Sequence, residues 1–176
     1  MCCSAVGEKL PPLVIGTAKK PRCFEKAFSP EDAGFTWRNN KTGWMTGAIF
    51  REWLADLNEC FMKEDRKILM LLDNFPGHLV DSTSNIKLAF FPPNQTSKVQ
   101  PLDLGIIKSY KDHEAAARAK HRRDNMDLYD NIKDYSKSVD VLQASKWIVK
   151  GWKKTKKRTM RNYFRKSGAY HMVENK

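Results

Sequence analysis

Two aspartates, Asp73 and Asp103, are the residues of this sequence whose type and position could do chemistry. Asp73 closes the apolar run Ile68-Leu69-Met70-Leu71-Leu72, which reads as a strand. Open α/β sheets tend to place ligand sites at the C-terminal ends of such strands. A lone carboxylate in that position is costly unless a partner or a cation meets it. Asp103 lies thirty residues further on, where a helix begins after the stiff Pro92-Pro93 and the break at Pro101. Two carboxylates on neighbouring elements suit a hard divalent cation such as Mg²⁺, which takes oxygen ligands and needs few protein groups. Each aspartate also has a plainer reading that stays open: Asp103 as the cap of its helix, Asp73 as an Asx-type turn residue.

The elements that must position them follow from apolar spacing. Residues 2–6 read as a short strand, Gly7-Glu8-Lys9 as a turn, and Leu13-Val14-Ile15 as the return strand of a hairpin. Residues 16–42 read as loop, punctuated by Pro21, Pro30 and Gly34. Ile49, Phe50, Trp53, Leu54, Leu57 and Phe61 then form one face of a helix, with Arg51, Glu52, Asp56 and Glu59 opposite and Thr46 or Thr42 as its cap. The unbroken run ending at Leu72 predicts a strand covered on both faces, as in a parallel sheet, with residues 86–91 as a second strand. A helix is expected from about Leu102 toward Arg123, another from an Asp140 cap through Lys154, and a last one capped by Thr159 and stopped by Gly168. Strands alternating with helices argue an α/β core followed by a basic helical segment.

The 176 residues, 41% of them hydrophobic, suffice for one domain and its core, and no apolar run is long enough for a membrane helix. The start lacks the basic and apolar regions of a secretory leader. Cys2, Cys3, Cys23 and Cys60 form neither a CxxC pair nor a Cys/His ligand set, so they read as reduced thiols of an intracellular protein without structural zinc. Charge is segregated. Residues 1–103 carry 13 Lys/Arg against 12 Asp/Glu, whereas residues 104–176 carry 19 against 8, nearly all of the net +12. Lys150, Lys153, Lys154, Lys156, Lys157, Arg158, Arg161 and Arg165 stand in a stretch without a single acid. A solvated helix end, a phosphate-backbone contact and a nuclear-import signal all remain open for it. Trp147, Trp152, Tyr163 and Phe164 within it read as the buried side of the helices rather than a stacking platform for bases.

Asp73-Asn74-x-Pro76-x-His78, followed by Phe91-Pro92-Pro93-Asn94-x-Thr96-Ser97-Lys98-x-Gln100-Pro101-Leu102-Asp103-x-Gly105-Ile106-Ile107, resembles the second and third acid motifs of the DDE superfamily endonucleases. More narrowly it resembles the Tigger/pogo transposases and their Jerky-like and centromere protein B-like derivatives. Gly7-Glu8-Lys9-Leu10-Pro11-Pro12, Trp44-Met45-Thr46 and the stretch from Trp152 to Gly168 are similar too, so the likeness runs over nearly the whole chain. The resemblance implies an RNase H-like mixed sheet, a nuclear protein, DNA as partner, and phosphoryl transfer on Mg²⁺ or Mn²⁺. Asp73 and Asp103 would then be the second and third catalytic, metal-binding acids, and Asn74 and His78 would line the pocket.

One departure shapes the expectation. The family's first acid precedes the hairpin with which this sequence opens, and Glu8, Glu31 and Asp32 do not stand at the matching place. The organisation expected is therefore an RNase H-like core over residues 1–118 lacking its first strand, then a basic helical extension over 119–176. Three readings follow: a transposase-derived, nuclear DNA-binding protein without nuclease activity; a fragment of an active Mg²⁺-dependent endonuclease; or a protein-interaction module on a silent DDE fold. A second chain completing the sheet is a further expected partner.

Overall fold

Helix α1 (Gly47–Lys63) organises the first of three apolar clusters among the described residues. The Thr46 Oγ1 accepts from the Ile49 N–H at 3.3 Å, satisfying one of the free donors of the first turn. The predicted apolar stripe is the buried one: Ile49, Phe50, Leu54, Leu57 and Phe61. It packs on strands β3 (Ile68–Leu72) and β4 (Ile86–Phe90) through Met70, Ile86 and the partly buried Ile68, Leu72 and Leu88. The computed structural model describes residues 1–93 and 96–169. Asn94 of the proline-rich motif lies outside the described residues.

Strands β3 and β4 run parallel, Ile68 opposite Ile86 and Leu72 opposite Phe90. Only one face of this ladder is covered among the described residues: Leu69 is 37% exposed and Lys87 is exposed, so the expected burial on both faces does not hold. An unbroken apolar run reports strand-forming side chains, and whether a second layer covers them depends on distant parts of the chain.

The start of the chain also departs from expectation. Residues 2–10 do form a tight turn, with Gly7 at φ +86° and Cys3 bridged antiparallel to Lys9. The return strand ends at Leu10, however, because Pro11-Pro12 offers no N–H to continue the pairing. Strand β1 (Leu13–Gly16) instead pairs in parallel with β2 (Thr36–Asn39), a strand inside the segment read as loop. Around this pair Phe24, Phe35 and Val149 make the second apolar cluster, with Phe24 against Trp37 at 5.2 Å between ring centroids.

The C-terminal half is helical. A helical turn α2 (Thr96–Val99) leads into a wide π-type turn, Leu102–Ile106, and on into α3 (Ile107–Asn125). Helix α4 (Ile132–Ser138), not anticipated, is capped by the Asn131 side chain, which accepts from the Asp134 N–H at 3.0 Å. Asp140 caps α5 (Val141–Lys154) as expected, its Oδ1 accepting from Gln143 N–H at 2.7 Å. Helix α6 (Lys157–Ser167) begins three residues earlier than a Thr159 cap would allow, with only Thr155 and Lys156 separating it from α5. Gly168, at φ +68°, ends it in the left-handed conformation open to glycine.

The boundary expected at 118/119 falls inside α3, and the helices beyond it fold back on the start of the chain. The third apolar cluster joins Ile106, Trp152 and Met160 with Cys3, Leu102 and Tyr163. Trp152 Nε1 donates to the Leu10 carbonyl at 2.9 Å, and Arg161 Nε donates to that of Val6 at 3.1 Å. Lys9 reaches the end of α5 and donates to the carbonyls of Trp152, Lys153 and Thr155 at 2.9, 2.8 and 3.0 Å. Those carbonyls are acceptors a helix end leaves free, and a cation there also opposes the negative end of the helix dipole. Among the described residues, no helix is long and apolar enough to cross a membrane.

Candidate functional site

Asp73 is the first residue past β3, where Pro76 and Gly77 turn the chain into a short 3₁₀ turn, Pro76–His78. Its Oδ1 accepts twice, from the Phe75 N–H at 3.3 Å and from His78 Nδ1 at 2.6 Å. The carboxylate has only acceptor capacity, so His78 Nδ1 carries the proton. The His78 ring is 4.8 Å from that of Phe50 on α1 and 5.3 Å from that of Phe75. It is thus held between two aromatic walls, with its side chain 20% exposed against 34% for Asp73.

Asn74 is exposed, and its Nδ2 donates to the Phe91 carbonyl at 2.6 Å. Phe91 N–H in turn donates to the Leu72 carbonyl at 2.9 Å, one step beyond the β3–β4 ladder. The hydrogen bond of Asn74 is therefore a tie between the ends of the two strands.

Asp103 is exposed in the first part of the π-type turn. Its carboxyl is pushed above the usual range, first by the packing around it and then by the negative charge of Asp73. The fold thus places Asp103, thirty residues on, within range of the Asp73 charge. Gln100, three residues before Asp103, has its Oε1 enclosed without a hydrogen-bond partner among the described residues. The sequence carried a signal for it in the Gln100-Pro101-Leu102-Asp103 motif, but nothing in the residue type alone marks it.

A repelling carboxylate pair fits a Mg²⁺ or Mn²⁺ ion, which is commonly held by one or two carboxylates together with substrate phosphates. Among the described residues no group of three or more His, Cys, Asp or Glu side chains converges as a metal site. The four cysteines are free thiols, and burial pushes Cys3 up to about 12. A cavity of about 300 Å³ lined by Arg51, Leu79, Val80, Asp81 and Phe90 opens just past His78 and contains neither carboxylate.

The basic residues sit where the charge pattern puts them. Lys150, Lys153 and Lys154 on α5, Lys156 between the helices, and Lys157, Arg158, Arg161 and Arg165 on α6 are all exposed. Trp147 and Trp152 are buried, as their spacing predicts. Helix α6 packs on the Asp103 turn: a Cβ on Gly105 would lie 2.1 Å from the Tyr163 ring. Lys9, missed in sequence, lies beneath this junction, and its ammonium is held below its ordinary pKa by burial and by the nearby Lys157.

A family model described as DDE superfamily endonuclease matches residues 1–164. The chain belongs to that family. The match takes in α5 and most of α6 together with both aspartates. Among curated proteins the chain is similar to CENP-B homolog protein 2 of Schizosaccharomyces pombe, 32% identical over 167 residues, covering 86% of this chain and 31% of that protein. It is 39% identical over 105 residues to Tigger transposable element-derived protein 4 of Mus musculus, covering 59% of this chain and 20% of that one. The Homo sapiens major centromere autoantigen B is 33% identical over 116 residues, 64% of this chain and 18% of that protein. The chain therefore spans a third or less of these relatives' length. No solved structure matches it. The family is thus a DDE endonuclease family whose matched members include CENP-B-like and Tigger-derived proteins.

Proposed function

We propose that this chain is a transposase-derived, nuclear DNA-binding protein that engages duplex DNA through the α5–α6 surface and does not cut it by itself. The observation that carries the reading is the run of exposed cations along α5 and α6, with α6 packed on the turn that bears Asp103. Lys150, Lys153, Lys154, Lys156, Lys157, Arg158, Arg161 and Arg165 would neutralise phosphates, a contact that fixes position rather than sequence. The CENP-B-like and Tigger relatives, one of them named for the centromere, support a nuclear setting and DNA as the partner.

Asp73 and Asp103 would hold a Mg²⁺ or Mn²⁺ ion. Bound there, the cation supplies positive charge that polarises a phosphodiester. The chain's own part would be to keep two oxygen donors within range of each other's charge, Asp73 fixed by its turn and the Asp103 turn braced by Tyr163 on Gly105. Binding is favoured over cutting on the donor count. In-line displacement between two cations calls for a bridging carboxylate and further ligands on each ion, and Asp73 has one oxygen already engaged by two donors.

The test measures duplex DNA affinity between low and physiological salt, with nicking of supercoiled plasmid in Mg²⁺ or Mn²⁺ as its second arm. Binding that weakens steeply with salt, without nicking, is expected. Binding indifferent to salt would remove the DNA reading. Nicking lost in Asp73→Asn and Asp103→Asn would replace it with that of an endonuclease complete in these residues.

A further inference from the structure

We infer that His78 is a positioning residue for Asp73, dedicating Oδ1 to hydrogen bonds and leaving Oδ2 as the oxygen that meets a divalent cation shared with Asp103. The inference rests on the proposed cation site and assigns a role there to a residue that touches neither DNA nor the ion. Three observations carry it. The His78 Nδ1 lies 2.6 Å from the Asp73 Oδ1, a close hydrogen bond between the two side chains. The Phe75 N–H shares the same oxygen, so both donors converge on Oδ1 and none of the described residues bonds Oδ2. The ring packs against Phe50, which is buried in the first apolar cluster, and against the exposed Phe75, so the donor is oriented by a contact with the core.

A carboxylate free to rotate offers a cation either oxygen and loses conformational entropy when it binds. One already anchored through Oδ1 has lost that freedom in folding. Outer hydrogen-bond partners of this kind change metal affinity by about 10- to 100-fold when removed. A turn-closing role alone would need the ring or the backbone geometry, not the Nδ1–H as such.

The full chain distinguishes these. Mn²⁺ affinity is read by electron paramagnetic resonance for the parent and for Asp73→Asn, Asp103→Asn, His78→Phe and His78→Asn. His78→Phe keeps an aromatic ring between Phe50 and Phe75 without the donor, whereas His78→Asn keeps a donor at the Nδ1 position without the ring. The expected result is weaker binding in both aspartate variants, about tenfold weaker binding in His78→Phe, and recovery to within about threefold of the parent in His78→Asn. In the metal-free parent the ¹⁵N ring resonances should report a proton on Nδ1. Parent-like affinity in His78→Phe beside weakened aspartate variants overturns the positioning role and leaves the cation site standing. Parent-like affinity in the aspartate variants, or no Mn²⁺ binding by the parent, removes the cation site and the role of His78 with it. A ring protonated on Nε2 alone overturns the role on its own.

Discussion

At the scale of single residues the carboxylate pair makes a prediction with a definite sign. Asp103 has a carboxyl raised by its packing and by the charge of Asp73, so the folded protein holds that proton more tightly than the unfolded chain does. Its contribution is favourable below the ordinary carboxylate range and turns against the fold as pH rises through the raised value. Asp103→Asn should therefore raise the melting temperature at pH 7 and leave it unchanged near pH 3. A melting temperature lowered at pH 7 would mean that neither the packing around Asp103 nor the Asp73 charge opposes its ionisation. Mg²⁺ should stabilise the parent and not this variant, by thermal melting with and without the ion. Lys9 gives a second residue-scale case, since its ammonium is shared by three carbonyls at the end of α5. Lys9→Met keeps the aliphatic stem and removes the donors, and should cost about 2 kcal/mol in urea unfolding. A cost near zero would show that water serves those carbonyls equally well.

Among the elements, the contact of α3 with α5 depends on one close approach. A Cβ on Gly151 would come within 2.9 Å of the Glu114 backbone nitrogen and 3.0 Å of its Cα, neither of which can rotate away. Gly151→Ala should therefore push the helices apart and destabilise the fold by about 1–3 kcal/mol despite alanine's better helix propensity. Stabilisation by the propensity difference would show that the helices have room to spare. Helix boundaries were legible at Thr46 for α1, Asp140 for α5 and Gly168 after α6, but not at Asn131, whose side chain caps the unanticipated α4. Strand β2 was not, because Thr36-Trp37-Arg38-Asn39 is four residues long and earns its place only through parallel pairing with β1. Pro11-Pro12 diverted β1 from the hairpin that its apolar residues suggest. That stop was legible in principle, since proline cannot donate to a ladder.

Over the whole molecule the segregated charge has a measurable consequence. Each lysine that neutralises a phosphate contributes about 0.9 to the slope of log affinity against log salt. Replacing Lys153, Lys154, Lys156 and Lys157 by Ala should flatten that slope by about 3.6 and weaken binding uniformly across sequences, by fluorescence anisotropy on unrelated duplexes. An unchanged slope would assign these lysines to solvent. The N-terminal turn is tied to the same junction through Lys9, Trp152 and Arg161, so the basic surface and the start of the chain belong to one folded unit.

What the sequence determined on its own is local or additive: the apolar period of α1, the caps at Thr46 and Asp140, the two strands that precede the proline-rich motif, the +12 charge and where it lies, and the family motifs around Asp73 and Asp103. These depend on neighbours within a turn or two, or on sums over the chain. Tertiary structure alone decided the pairing of β1 with β2, the open face of β3 and β4, the docking of α5 and α6 on the opening turn, and the nearness of the two carboxylates. Each joins residues far apart along the chain, where the entropy of closing the loop must be met by packing that no local pattern records. The bond from His78 to Asp73 spans only five residues, yet it too was decided by the fold, because the ring takes its orientation from Phe50 on α1.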